Sequence, residues 1–290
     1  MSEKRIAVVT GANRGIGRAV AEELGRHGLH VVVVARRADA GAPVRAAIEA
    51  AGGSADLLLG DVGSISGARH LARDLLAACP RIDVLVHNAG LWPERHELNE
   101  DGLERAFAVN HVAPFVLNHL LEDRLVVSRT RVVQVSAGLY VKGRVDLERT
   151  PRGEDFHAIR TYATTKLCNL LVMPLFAERW RGRGPTIVAV HPGVIRTGLG
   201  DRGGLLGAAL RLVKKTWKDP AAGARPVVRL ALEHALAESG LYFHEETEAA
   251  LAENASDRAV AGALWERTML LAGLDAAPPL AHEERTSASP

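Results

Sequence analysis

The stretch Val8-Val9-Thr10-Gly11-Ala12-Asn13-Arg14-Gly15-Ile16-Gly17 constrains this chain more than any other. An apolar run from Ile6 to Val9 reads as a buried strand. The apolar-periodic segment Ile16–His27 reads as a helix, with Gly28 at its cap. The glycines between them permit a tight turn and a close approach of backbone to ligand. A strand, a Gly-rich turn and a helix N-terminus together form an anion site, because the free N–H groups and the positive dipole end face the same point. Gly-x-x-x-Gly-x-Gly alone also suits a plain tight turn, since a chain with 28 glycines produces such spacings by chance. Its position after a buried strand near the N-terminus favours the phosphate reading.

Beyond the turn, strand and helix patterns alternate. Val31–Ala35 is a continuous run, as in a strand buried on both faces of a parallel sheet. Val44–Ala51 reads as a helix closed by Gly52-Gly53. Ala55–Leu59 is a strand, Ala68–Ala78 a helix and Val84–Val86 a strand. Leu103–Leu121 is helical, with Pro114 predicting a kink or break. Arg131–Val135 is a strand, Arg160 to Trp180 a helix, Thr186–Val190 a strand and Ala261–Ala272 a helix. Leu241–Phe243 is expected to add an edge strand. This order predicts an α/β fold with a doubly wound parallel sheet and right-handed crossovers. Residues 275–290, rich in Ala, Pro, Ser and charge, read as a frayed tail.

Composition narrows the function. The net charge of +2 argues against nucleic acid, and the patch Lys214-Lys215-Thr216-Trp217-Lys218 reads as a solvated helix face. Two cysteines imply no disulfide framework and fit a reducing, cytoplasmic setting. The twelve histidines form no metal-ligand spacing, so no metal is expected. No apolar run nears the roughly 20 residues of a membrane span, and no signal peptide or stable membrane insertion is expected. Cys168 and Trp265 read as core residues.

The chemistry centres on Tyr162 and Lys166. Four residues apart on a helix, they share a face. A phenol is a weak acid with an unperturbed pKa near 10, and an adjacent ammonium is expected to lower it. Such a pair can give a proton to a carbonyl oxygen while hydride arrives from a nicotinamide. Taken alone, the pair also fits an exposed polar couple. Arg36 follows the strand Val31–Ala35, where an Asp would hold a ribose 2′-OH. An Arg there suits a 2′-phosphate and predicts NADP(H), with Arg14 and Arg37 adding to it. Alternatively Arg36 and Arg37 solubilise a loop.

Six motifs in order resemble the short-chain dehydrogenase/reductase family over nearly the whole chain. Thr10-Gly11-x-x-x-Gly15-x-Gly17 matches its cofactor turn, with Asn13, Arg14 and Ile16 inside it. Asp61-Val62 matches its adenine-contacting pair, and Asn88-Ala89-Gly90 its strand-four motif. Asn110 matches its helical asparagine, and Tyr162-x-x-x-Lys166 its catalytic pair. Pro192-Gly193 matches the turn after strand six. Gly143-Arg144-Val145, Thr165-Lys166-Leu167-Cys168-Asn169 and Ser239-Gly240-Leu241-Tyr242-Phe243 resemble the retinol-dehydrogenase and protochlorophyllide-reductase-like branch.

The resemblance implies a Rossmann fold in a single domain over residues 1–274, with a small capping insertion at about 198–218. It implies that Tyr162, Lys166 and Asn110 are catalytic. By the family pattern Asn110 distorts its helix and holds a water in a relay to Lys166; the alternative is a side chain bonded to its own backbone. Lys166 and Tyr162 would also touch the cofactor. Asn88 would brace it, and Val194 and Thr197 would hold the nicotinamide carboxamide. The cap would cover an apolar ligand; core packing or an interfacial helix are the other readings of its leucine-rich face. A dimer or tetramer is implied, while the long insert between Ala137 and Tyr162 is compatible with a monomer.

One position departs from the family. Arg131-Val132-Val133-Gln134-Val135-Ser136-Ala137 matches a strand ending in two serines, of which the second is the catalytic one. Here Ala137 stands second. Ser136, one step away, should face the opposite side unless the register shifts. Two readings follow. The first is an NADPH-dependent oxidoreductase acting on C=O, C=N or C=C of a hydrophobic or polycyclic small molecule, such as a secondary metabolite. The second is a non-redox enzyme of the same fold, or a dinucleotide-binding module.

Overall fold

The computed structural model describes residues 4–195, 219–233 and 238–274. Thr197, the expected cap at about 198–218, the basic patch Lys214–Lys218 and the tail at 275–290 lie outside the described residues. One eight-stranded sheet runs in the order β3-β2-β1-β4-β5-β6-β7-β8. Its strands are β1 (Ile6–Thr10), β2 (His30–Ala35), β3 (Ser54–Leu59), β4 (Val84–His87), β5 (Arg131–Val135), β6 (Thr186–His191), β7 (Leu241–His244) and β8 (Thr247–Glu248). Neighbours pair in parallel up to β7, and β8 returns antiparallel. The doubly wound parallel sheet is therefore present. β7 is not its edge: the two-residue β8 turns back beside it. The strand order reverses between β1 and β4, which opens a crevice at their C-terminal ends.

The unbroken valine run of β2 follows from burial on both faces. Val31 and Val33 join Ala7, Val9, Val84 and Val86 in a core covered by α1 (Gly15–Arg26) and α2 (Ala38–Ala50). Val32 and Val34 join Val8 and Leu85 in a second core on the other face, under α3 (Ile65–Ala78) and the helices after it. Each buried valine or leucine contributes about 1.5–3 kcal/mol, so a polar residue between Val31 and Ala35 has no side to turn to.

The helical run after β4, here α4, is composite: α-helical Arg105–Phe107, a π turn at Ala108–Val112 and α-helical Ala113–Leu120. Pro114 sits just past the π turn. It has no N–H to give to Asn110, and the extra residue in the turn absorbs the misfit. The expected break at Pro114 thus takes the form of a widened turn. After α5 (Glu122–Ser128) and β5 comes α6 (Ala158–Arg179), which carries Tyr162 and Lys166. Helices α7 (Pro220–Leu232) and α8 (Arg258–Ala272) close opposite faces.

Helix α7 was hidden in the sequence by Pro220, Gly223 and Pro226. Pro220 opens the helix behind Asp219, whose Oδ1 accepts from Ala221 N at 2.9 Å, a position where proline is tolerated. Gly223 lies where α7 meets α1. A Cβ there would be 2.7 Å from Ile195 and 3.3 Å from Ile16. Helix α2 likewise starts at Ala38, ahead of the expected Val44, and carries Pro43 inside it.

Candidate active site

The glycine turn and the β4 end form one hydrogen-bonded unit. Thr10 Oγ1 donates to Val86 O at 3.1 Å and accepts from the N–H groups of Asn88 and Ala89 at 3.1 Å. Asn88 Nδ2 donates back to the carbonyls of Thr10 at 2.9 Å and Gly11 at 3.1 Å. Gly11 adopts φ +64°, and a Cβ on it would sit 2.9 Å from Ala89 Cα. On Gly17 a Cβ would fall 2.3 Å from Asn88 Nδ2. Glycine is therefore required at both positions by contact.

Gly15, at φ +56°, begins α1 behind Arg14, and no side chain caps that first turn. Its first N–H groups have no side-chain acceptor among the described residues, an arrangement that suits an anion. Asn13 is half-buried in the turn and Arg14 exposed. Ile16 packs towards Gly223. Glycine turn, uncapped helix and crevice together fit a dinucleotide diphosphate.

Arg36 lies exposed just past β2. Neither it nor Arg14 carries an ion pair among the described residues, whereas Arg37 is held by Asp39, with Nε 2.9 Å from Oδ1. Of the neighbours Arg36 and Arg37, Arg36 is thus the one without an ion pair among the described residues. Past β3, the Asp61 carboxylate accepts from Gly63 N at 2.9 Å, and Val62 is buried beside it. After β6, Pro192 leads to Gly193 at φ +92°, an exposed Val194 and a buried Ile195. All of these residues leave the C-terminal ends of strands, which is how one sheet edge gathers them.

The second half of the site is built from α4 and α6. Asn110 is buried. Its Oδ1 accepts from Leu91 N at 2.8 Å, and its Nδ2 donates to Leu91 O and to Thr165 Oγ1, both at 2.9 Å. It therefore bonds distant groups and not its own backbone, and it ties the β4 loop to α6. The Asn110 carbonyl, left free by Pro114, accepts from Asn169 Nδ2 at 2.7 Å. With Nδ2 so committed, Asn169 Oδ1 accepts from His111 Nδ1 at 3.1 Å, and His111 Nε2 meets Thr268 Oγ1 at 3.0 Å.

Lys166 Nζ donates to Val135 O at 2.9 Å and stands 5.8 Å from the centre of the Tyr162 ring. Both side chains are buried. Burial pushes Lys166 down to about 8 and raises the Tyr162 phenol above its ordinary value. The expected lowering of Tyr162 by the ammonium is thus not met in this arrangement: desolvation dominates, and Lys166 is turned to a strand carbonyl.

Strand β5 does not shift register. Ser136 N donates to Val190 O at 2.8 Å, and Ala137 continues extended at φ −149°, ψ 140°. The two side chains therefore face opposite sides, and among the described residues Ser136 Oγ is buried without a partner. The idea that a shift brings Ser136 round is overturned, and a methyl group occupies position 137.

Trp92, two residues past Gly90, escaped the sequence reading. Its ring lies 4.5 Å from that of Tyr162 with 2° between the planes. Thr10, Thr165 and Asn169 were visible only as parts of motifs; their bonding shows them to be the frame of the site. Val141 after β5, Ile159 at the start of α6 and Val194 after β6 are exposed apolar side chains.

Comparison with known proteins agrees with this geometry. The short chain dehydrogenase family profile matches residues 5–203. The chain is 33% identical to human (Homo sapiens) retinol dehydrogenase 13 over 285 residues, covering 94% of this chain and 86% of that one. The crystal structure of a putative uncharacterized protein from Mycobacterium paratuberculosis superposes with a TM-score of 0.74 at 25% identity, covering 93% of this chain and 94% of that one. Landomycin C-6 ketoreductase LanV, solved with NADP and rabelomycin, gives a TM-score of 0.63 at 29% identity, covering 83% of this chain and 94% of that one. With its glycine turn, its Tyr-x-x-x-Lys helix and these relatives, the chain belongs to the short-chain dehydrogenase/reductase family of oxidoreductases, on the retinol-dehydrogenase-like branch.

Proposed function

We propose that the protein is an NADPH-dependent reductase of a hydrophobic or polycyclic carbonyl compound, with Tyr162 as the proton donor. The observation that carries this reading is the buried pair one helical turn apart, Tyr162 and Lys166, beside a glycine turn flanked by Arg36, which has no ion pair among the described residues. NADPH would supply hydride. Gly11, Asn13, Gly15, Ile16 and Gly17 would hold its diphosphate, Arg36 and Arg14 its 2′-phosphate, and Asp61 and Val62 its adenine. Asn88, Ala89, Gly90, Pro192, Gly193 and Val194 would border the rest.

Burial keeps the Tyr162 phenol protonated, which is the form that donates. Lys166 holds a positive charge near that phenol, and Asn110 fixes the loop and helix that carry the two. The exposed Val141, Ile159 and Val194 favour an apolar substrate. The NADP-bound LanV supports the same cofactor by likeness.

A second reading is favoured by Ala137. Without a hydroxyl beside the phenol, an oxyanion loses a donor worth roughly 3–4 kcal/mol. That loss suits reduction of C=N or C=C, or a non-redox step in which Tyr162 acts as acid or base. The deciding experiment is a fluorescence titration with NADPH and NADH, followed by NADPH consumption with apolar aromatic ketones. NADPH binding well above NADH, with consumption, supports the reductase. NADPH binding with conversion but no consumption supports the non-redox reading. Equal binding of both cofactors overturns the role given to Arg36.

A further inference from the structure

The hydrogen bonds that frame Asn110 continue past it into α8. The Asn110 carbonyl, which Pro114 leaves without a helical donor, lies 2.7 Å from Asn169 Nδ2. A carbonyl only accepts, so this contact fixes which end of the Asn169 amide is the nitrogen. The amide oxygen then faces His111 Nδ1 at 3.1 Å, and that ring nitrogen must carry a proton. The His111 ring is fully buried beside Phe107 and Phe115, and burial keeps it neutral by pushing it down to about 4. A neutral ring has one proton, so Nε2 accepts from the Thr268 hydroxyl at 3.0 Å. Thr268 Oγ1 also lies 2.7 Å from Leu264 O, but its single proton serves the ring.

The donors therefore point one way, from Thr268 to His111, to Asn169 and to the Asn110 carbonyl. The Asn110 amide holds both backbone atoms of Leu91 and the Thr165 hydroxyl, which donates to Tyr162 O at 2.8 Å. Asn110, His111, Thr165, Asn169 and Thr268 are each 5% exposed or less, so water does not stand in for a lost partner.

We infer that His111 is a positioning residue for the catalytic pair: its Nδ1–H holds the Asn169 amide in the one orientation that donates to the Asn110 carbonyl, and so fixes Asn110 between Leu91 and α6. With the proton on Nε2 instead, the bare Nδ1 would draw the amide nitrogen towards itself. That turn would set two oxygens against each other at the Asn110 carbonyl and loosen the grip on Leu91 and Thr165. The effect on turnover rests on Tyr162 as the proton donor; the effect on geometry rests on these bonds alone.

Two variants separate the ring nitrogens. The amide of Asn reaches the Nδ1 position and that of Gln the Nε2 position, so His111→Asn keeps a donor to Asn169 and His111→Gln keeps only the link to Thr268. Both are assayed with NADPH and butyrophenone, and exchange of the Leu91 N–H is followed by NMR. The wild-type tautomer is read from the ring-nitrogen chemical shifts and should be Nδ1–H. His111→Gln should lower kcat about 10-fold, leave KM and NADPH affinity within about 2-fold and speed Leu91 exchange about 10-fold. His111→Asn should stay within about 2-fold of wild type throughout. If butyrophenone is not reduced but the tautomer and the Leu91 exchange are as stated, the reductase reading falls and the role of His111 stands. A wild-type ring protonated on Nε2, or Asn and Gln variants that behave alike, overturns that role whether or not the ketone is reduced.

Discussion

The two faces of the sheet are built from different materials. Under α1, α2 and α7 the core is aliphatic, made of Val, Ala, Leu and Ile with Phe243 as its single aromatic residue among those described. Under α3, α4, α6 and α8 it holds Phe115, Phe176, Trp180 and Trp265, and among them the buried His111 and the half-buried His119. His87 at the end of β4 points to the same side, with Nε2 donating to Asn118 Oδ1 at 2.8 Å. The aliphatic face carries the uncapped start of α1, and the polar face carries Asn110, Tyr162 and Lys166. Binding by backbone needs only a rigid support, which aliphatic packing supplies. Orienting a phenol and an ammonium needs directional bonds, and these require polar groups inside the core.

The largest expected effect breaks the polar face at its reacting end. Tyr162→Phe should lower NADPH-dependent turnover by about 10²–10⁴-fold and leave cofactor affinity within about 2-fold, as measured by steady-state rates and NADPH fluorescence. Lys166→Ala should lower both. Because burial holds Lys166 at about 8, its charge is lost as pH rises through that value, and wild-type turnover should decline there.

Next, the aliphatic face should respond to truncation and not to acid. Leu24→Ala, in the core under α1, should cost about 2–5 kcal/mol in urea unfolding, by a similar amount at pH 5.5 and 7.5. The polar face should show the reverse. Burial pushes His87, His111 and His119 down to about 4, against about 6.5 for an unfolded histidine. Between those values the unfolded chain binds more protons, so stability is present above pH 6.5 and is lost as pH falls towards 4. His111→Gln should make the fall of Tm over that window shallower.

On the cofactor side, Arg36→Asp should weaken NADPH about 10- to 100-fold in a fluorescence titration while NADH binds no worse. The smallest effect concerns Ala137→Ser. If the site reduces ordinary ketones without its customary donor, that variant should speed them about 10-fold or more. No gain would mean that the site is shaped for a different reacting group.

The aliphatic half was the more legible from sequence. Gly11, Gly15 and Gly17 mark backbone that must turn or approach closely, and the run Val31–Val34 marks a strand covered twice. Both signals are local. The partners of Asn110 were not legible, since Leu91, Thr165 and Asn169 come from 19, 55 and 59 residues away. Helix α7 was missed because Pro220, Gly223 and Pro226 break helices in isolation and here serve its start and its crossing with α1. Trp92 carried a visible signal, a large aromatic two residues past Asn88-Ala89-Gly90, but nothing local said that it would lie on Tyr162.

The short return strand β8 has a consequence for association. An exposed parallel strand such as β7 would offer its free backbone groups to any other extended chain. Two residues of β8, Thr247 and Glu248, both exposed and one charged, cover the end of β7 and present almost no ladder of their own. At this border a second copy has nothing to continue. Among the described residues, contact with a second copy on that side is left to helix and loop side chains, whose strength can be tuned by surface substitution without touching the sheet.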